Sequence, residues 1–344
     1  MADSIIILVH AEKDGSLGKP AFEAVGAGKA LAAGLGSAYS VGLIGSDIKA
    51  AADALAGCGA TKFLGVSGAD FADARYGSDA AAVEALVKAS GATVAVAAGT
   101  SRFSRVLAGA AARLGGRVDS HVTKVAVEGG VPAVSRWFYR QRIEGAINRT
   151  HRPWIISVDP GSQEPWSGAR GSATVENVAV SLPDSAKVSR VTGEKAPAAD
   201  QQTIRPDAPL LLVAGAGWTK KQADGAIHVD EAAKLILDFL AKSRSSLGGS
   251  KSAVEMSGEG GAALPFMTHL HQVGQTGSTP RHLKGLATCC HGEEPHVVGW
   301  RFITERRAVN INAGCGWAQG KADVLYVADA FEVMRKVNER LKAK

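Results

Sequence analysis

The chain has 344 residues, 46% hydrophobic and 21% charged, and 39 Lys/Arg against 33 Asp/Glu leave a net charge of +6. That length suits two domains with ordinary cores; aromatics at 6% with no dense basic block argue against nucleic-acid binding, and no apolar run reaches the roughly 18 residues of a membrane span. Four cysteines make no disulfide framework, and the start up to Val9 lacks the basic leader of a signal peptide, so a reducing, cytoplasmic setting is expected.

The first half repeats a unit of apolar run, turn and helical stretch. Strands are expected at Ser4–Ala11, Tyr39–Ile44, Lys62–Val66 and Thr93–Ala98. Helices are expected at Pro20–Gly34, with Pro20 suited to a first turn, and at Ile48–Leu55, Asp79–Ala89 and Phe103–Leu114. Strands apolar on both faces that alternate with helices call for a parallel sheet covered on both sides. After Asp119 the gaps shorten. Val122–Val127, Val131–Trp137 and Trp154–Val158 read as an antiparallel extension, and Val178–Leu182 as one more strand. Trp137, Phe138, Tyr139 and Arg140 read equally as a docking surface or as an ordinary strand.

Pro183–Ala208 has no apolar period and holds three prolines among polar residues, so it reads as a linker. The expected division is therefore 1–182, a linker over 183–208, and 209–344. In the last part, strands are expected at Pro209–Ala214, Gly285–Cys289, Ala308–Ile311 and Val324–Val327. Helices are expected at Asp230–Ser243 and Ala328–Lys342, the latter with Phe331, Met334, Val337 and Leu341 on one stripe.

Gly215-Ala216-Gly217 after a strand is a weak phosphate signal, and equally a tight turn. Gln272-Val273-Gly274-Gln275-Thr276-Gly277 is more specific. Two glycines, two amides and a hydroxyl in six residues suit a loop wrapped around a polar planar ligand, with a structural turn as the alternative. Cys289, Cys290, His291, His296, Cys315, His269 and His271 invite a metal reading, but no C-x-x-C pair occurs. Small buried residues at a strand end are the preferred account of the cysteines.

Gln272–Gly277 matches the QVGQTG signature of electron transfer flavoprotein alpha subunits, and the chain resembles that family over nearly its whole length. Ser250–Glu255 resembles the family's Ser-Arg-x-x-Val-Asp stretch, and His291-Gly292-Glu293-Glu294-Pro295-His296 falls at its Ser-Gly-Ala-Ile-Gln-His. Val309–Asn312 resembles Ala-Ile-Asn, and Ala322-Asp323 with Asp329–Val333 resembles Ala-Asp-Tyr-Gly and Asp-Leu-Phe-Glu-Val. Ile5–Glu12 and Thr93–Asp119 are similar to stretches of the first domain.

The resemblance implies a two-domain α/β protein: an N-terminal parallel-sheet domain with an antiparallel extension, and a C-terminal flavodoxin-like domain that holds FAD. It implies a smaller beta-type partner subunit and a flavin-dependent dehydrogenase as electron donor. It places Thr276 near flavin N5, Gln272 and Gln275 in the pocket wall with Val273, Gly274 and Gly277, and His296 beside the flavin O2, following His291 and Gly292. Ser250 and Lys251 would lie near the pyrophosphate and flavin, Gly217 on the first loop, and Asn312 and Asp323 by the adenosine half.

The departures are that Gly215–Trp218 lacks the family's loop arginine, Lys251 replaces an arginine, and Glu293 and Glu294 add negative charge. These changes disfavour negative charge on a flavin and lower its potential. A flavin-free scaffold subunit is the alternative reading, and a nucleotide hydrolase-like enzyme a third.

Overall fold

The computed structural model describes residues 3–139, 143–193, 204–205, 208–255, 262–273, 282–288, 303–315, 319 and 322–341. The chain divides into two compact units, Met1–Glu194 and Lys195–Lys344. Each is an α/β unit.

In the first unit, strands β1 (Ile5–His10), β2 (Tyr39–Gly45), β3 (Lys62–Ser67) and β4 (Val94–Ala98) alternate with helices α1 (Lys19–Leu35), α2 (Lys49–Leu55) and α3 (Tyr76–Ser90). β1, β2 and β4 are buried along their whole length, as continuous apolar runs require. The long helix expected after β4 is broken into α4 (Ser101–Ser104), which Thr100 caps through the amide of Phe103, and α5 (Leu107–Arg113). β5 (Arg117–Glu128), β6 (Val131–Phe138), β7 (Ile143–Ile147), β8 (Trp154–Val158) and β9 (Val175–Asn177) complete the sheet. Its order is β7-β6-β5-β8-β4-β1-β2-β3-β9.

Only part of the expected extension is antiparallel. β5 turns into β6 through Gly129 and Gly130, both at positive φ (59° and 81°), the two-residue turn that matches strand twist. β6 then pairs antiparallel with β7. Trp154–Val158, expected in this extension, instead lies parallel between β4 and β5 as a fully buried strand. Its five apolar-rich residues fit a site covered on both faces, which short gaps in sequence do not reveal. Val178–Leu182 is not a strand; Val175–Asn177 pairs with β3 instead, and Val178, Val180 and Leu182 pack beside the core.

The segment from β8 to β9 crosses from one flank of the parallel sheet to the other, over α1 and α2. Trp166 N donates to Phe22 O (2.9 Å) and Gly171 N to Asp53 O (3.0 Å). Gly26 and Gly57 make this crossing close: a Cβ on either would collide with the carbonyl oxygen of Glu164 or Ala169.

The second unit has a five-stranded parallel sheet in the order β11-β10-β12-β13-β14. The strands are β10 (Leu210–Ala214), β11 (Ser246–Gly249), β12 (Lys284–Thr288), β13 (Glu305–Asn310) and β14 (Val324–Val327). In sequence order this is 2-1-3-4-5, the doubly wound flavodoxin-like arrangement. Its described helices include α6 (Val229–Ser243), the short α7 (Lys251–Glu255) and α8 (Ala330–Arg340), which Asp329 caps through the amide of Glu332. β11, with sequence Ser-Leu-Gly-Gly, carries little apolar signal and was not expected; parallel pairing with β10 holds it in place.

Candidate functional site

The carboxyl edge of a doubly wound sheet is where ligands sit, at the point where successive connections diverge. In the second unit that point lies between β10 and β12. Ser250 follows β11 at this edge; its amide donates to Ala214 O (2.9 Å) at the end of β10, and its hydroxyl accepts from Ala253 N (3.1 Å). Gln272 forms a parallel bridge with Gly249, and Val273 N donates to Gly249 O (3.0 Å). The first two residues of the QVGQTG stretch are thus tied beside Ser250. Gly248 permits this approach, because a Cβ there would collide with Val273. Lys251 begins α7 and is half-buried, and Asn312 follows β13 at the same edge, its Oδ1 accepting from Gly314 N (2.9 Å).

His271 adjoins Gln272 and is 1% exposed. Its Nδ1 lies 3.0 Å from the Thr268 amide nitrogen and 3.3 Å from the Thr268 carbonyl oxygen, so the Thr268 backbone partners this nitrogen in either tautomer. Nε2 is buried with no hydrogen-bond partner among the described residues. Burial pushes the imidazole below its ordinary pKa, while the Thr268 backbone partly offsets this, which favours the neutral ring. A buried imidazole nitrogen without a described partner and a serine hydroxyl at one sheet edge suit a polar ligand.

Two residues are placed otherwise. Gly217 reaches this edge, but the turn Ala216–Thr219 is buried throughout, and its carbonyl accepts from Gln222 Nε2 (2.9 Å). The Trp218 indole is fully buried, packs tilted against Phe331 with ring centroids 4.6 Å apart, and donates to Thr288 Oγ1 (2.9 Å) at the end of β12. Trp218 therefore fills core rather than walling a pocket. Asp323 precedes β14, so it lies at the amino edge of the sheet, opposite to Ser250 and Gln272. There Arg306 holds it, Nη2 to Oδ1 at 2.8 Å, and these bonds keep its carboxyl below the ordinary range. Gly274, Gln275, Thr276, Gly277, His291, Gly292 and His296 lie outside the described residues, as do Glu293, Glu294, Cys289 and Cys290. Cys315 is a buried free thiol, and among the described residues no group of three or more side chains suits a metal ion.

A second site, which the sequence reading missed, lies in the first unit. A cavity of about 720 Å³ opens at the carboxyl ends of β1 and β4. Those strands are neighbours although two others separate them in sequence, so this is again the divergence point. His10 forms part of its lining at 7% exposure, edge-on to Phe103 with ring centroids 5.2 Å apart. Its Nε2 meets Thr100 Oγ1 at 2.9 Å. Burial lowers the pKa of His10, although Glu12 pulls the other way. Arg102 on the rim is committed: it donates to Asp79 Oδ1 at 2.7 Å and Oδ2 at 2.9 Å. Two polar residues, His10 and Glu12, at the end of a buried apolar strand were the available sequence signal.

The model of the family described as electron transfer flavoprotein domain matches residues 5–184, about half the chain and nearly all of its first unit. Among curated proteins no sequence matches. With the fold of that unit, this match shows that the chain belongs to the electron transfer flavoprotein domain family.

Proposed function

We propose that the chain is the alpha-type subunit of an electron transfer flavoprotein, carrying FAD on its second unit beside a beta-type subunit. The observation that carries this reading is the bridge from Gln272 to Gly249, directly before Ser250, at the carboxyl edge of a flavodoxin-like sheet. It brings the two most specific stretches of the resemblance together at the place where such sheets bind nucleotides. Bound FAD would accept electrons from a flavin-dependent dehydrogenase and release them to a second protein. In this reading the Ser250 hydroxyl holds an acceptor atom of the cofactor, Gln272 lines its pocket, and Lys251 supplies positive charge. Thr276 and His296 keep the roles that the resemblance implies.

The burial of the Ala216–Thr219 turn, with the Gly217 carbonyl engaged by Gln222, favours a second reading, a scaffold subunit without flavin. Co-expression with the beta-type subunit, an absorbance spectrum, and acid release of the cofactor separate the two. A flavin band with about one FAD per chain supports the carrier. A colourless, stable complex overturns it in favour of the scaffold.

A further inference from the structure

The QVGQTG stretch is entered by a tight passage of the chain. Leu212 and Ala214 of β10 pack in one apolar cluster and Leu211 and Val213 in another, so the two clusters lie on opposite faces of the second sheet. Leu264, Phe266 and Met267 belong to the first cluster and Val273 to the second. Between Met267 and Val273 the chain therefore passes round β11, an edge strand, from one face to the other. The two glycines of β11 leave room for it. A Cβ on Gly249 would lie 3.2 Å from Met267 Sδ, and one on Gly248 only 2.4 Å from Val273 Cγ2.

Bonds between Thr268 and the residues after it close that passage. His271 N donates to Thr268 O (2.9 Å), and Leu270 N donates to Thr268 Oγ1 (3.3 Å). His271 Nδ1 lies 3.0 Å from Thr268 N and 3.1 Å from Thr268 Oγ1. Backbone groups that round a sheet edge lack ladder partners of their own, and a ring turned back into the turn supplies one. The imidazole is 1% exposed, whereas Thr268 is exposed. Gln272, bridged to Gly249, follows at once, and then Val273, whose amide donates to Gly249 O (3.0 Å). The bonds at Thr268 thus fix where the next two residues meet the sheet.

From this arrangement we propose that His271 is a positioning residue for the cofactor site: through Nδ1 it holds the turn after Met267 and so places Gln272 beside Gly249 and Ser250. This rests on the reading that Gln272 lines an FAD pocket. At 1% exposure the ring acts through the chain and not on the ligand. Two amide side chains separate this role from mere filling of space. Asn carries its polar atoms on Cγ, as His carries Nδ1, whereas Gln carries them one bond further out, as His carries Nε2.

The test pairs two measurements on wild type, His271→Asn, His271→Gln and Thr268→Ala. One is hydrogen exchange of the full chain, read at the amides of Gln272 and Val273. The other is the FAD affinity of the complex with the beta-type subunit. Thr268→Ala removes the hydroxyl at an exposed position, so it leaves the core intact. His271→Gln should speed exchange and weaken FAD by about 10-fold or more, and Thr268→Ala should do both by about 5-fold. His271→Asn should hold both within about 3-fold of wild type. Asn and Gln variants that behave alike overturn the proposal, and so do Gln272 and Val273 amides that none of the variants affects. Faster exchange with unchanged FAD affinity also overturns it, since His271 would then serve folding alone. A wild-type complex that binds no FAD overturns the carrier reading, and the exchange series, which needs no flavin, then decides the positioning of Gln272 by itself.

Discussion

The indole N–H of Trp154, at the start of β8, ends on Asp119 Oδ2 in β5, 2.9 Å away, where neither side chain reaches solvent. Arg136 from β6 reaches Oδ1 of the same carboxylate at 3.0 Å, and Arg149 brackets both oxygens, with Nη2 to Oδ1 at 2.8 Å. Asp119 thus joins the parallel sheet to its antiparallel extension. Burial pushes its carboxyl up, but bonds from Arg149, Arg136 and Trp154 outweigh that and hold it below the ordinary carboxylate value. Asp119→Ala should cost about 3 kcal/mol in denaturant unfolding, the lower end for breaking a buried pair, because both guanidiniums reach solvent. The folded pKa is lowered, so this contribution is present above about pH 4 and is lost as the pH falls through the lowered value.

Glu23 has the opposite sign. It is 1% exposed on α1, and burial raises its pKa, although it accepts from Gly161 N (2.7 Å). At neutral pH the folded state holds a carboxylate it would rather protonate. Glu23→Gln should therefore stabilise by about 1 kcal/mol near pH 7, roughly 2–4 °C in melting temperature. The gain should shrink as the pH drops through the raised folded pKa, since the wild type then gains its own proton. A melting-temperature series against pH measures both effects.

Trp218→Phe keeps an aromatic ring on Phe331 but removes the donor to Thr288 Oγ1. A loss of about 1–3 kcal/mol follows from the unpaired acceptor and the small void. Equilibrium unfolding monitored by far-UV circular dichroism reads it.

Asp323→Ala should leave the FAD-to-chain ratio of the purified complex unchanged, because the side chain serves Arg306 at the amino edge of the sheet. A lowered ratio would mean that the adenosine half extends to that edge.

On the proposed reading, in which FAD lies beside residue 251, Lys251→Arg should raise the flavin midpoint potential, since a planar fork stabilises negative charge more directionally than an ammonium group. Spectroelectrochemical titration of both proteins gives the shift, and an unchanged potential would remove Lys251 from the flavin's surroundings.

The sequence made the alternating elements of the first unit legible, because β1, β2 and β4 are apolar on both faces and glycines end several helices. It did not show that β8 inserts beside β4, since a buried strand reads alike whichever direction its neighbour runs. Candidate residues were legible where a contiguous motif carried them, as at Ser250 and Gln272. Pairs distant in sequence were not. His10 meets Thr100 across 90 positions, and Arg102 meets Asp79 across 23; composition gives no register for such partners. Asp323 shows the converse. A motif match suggested a role, but which edge of the sheet a residue occupies depends on whether it precedes or follows its strand.

The crossing from β8 to β9 sets an order for biosynthesis. β3 has no outer neighbour until Val175–Asn177 pairs with it, and that strand leaves the ribosome last of the nine. Until then β3 presents an open edge of unpaired amides and carbonyls, which invites association with other chains. The nascent first unit is therefore most vulnerable to aggregation after β1–β4 have emerged and before the strap has been laid across α1 and α2.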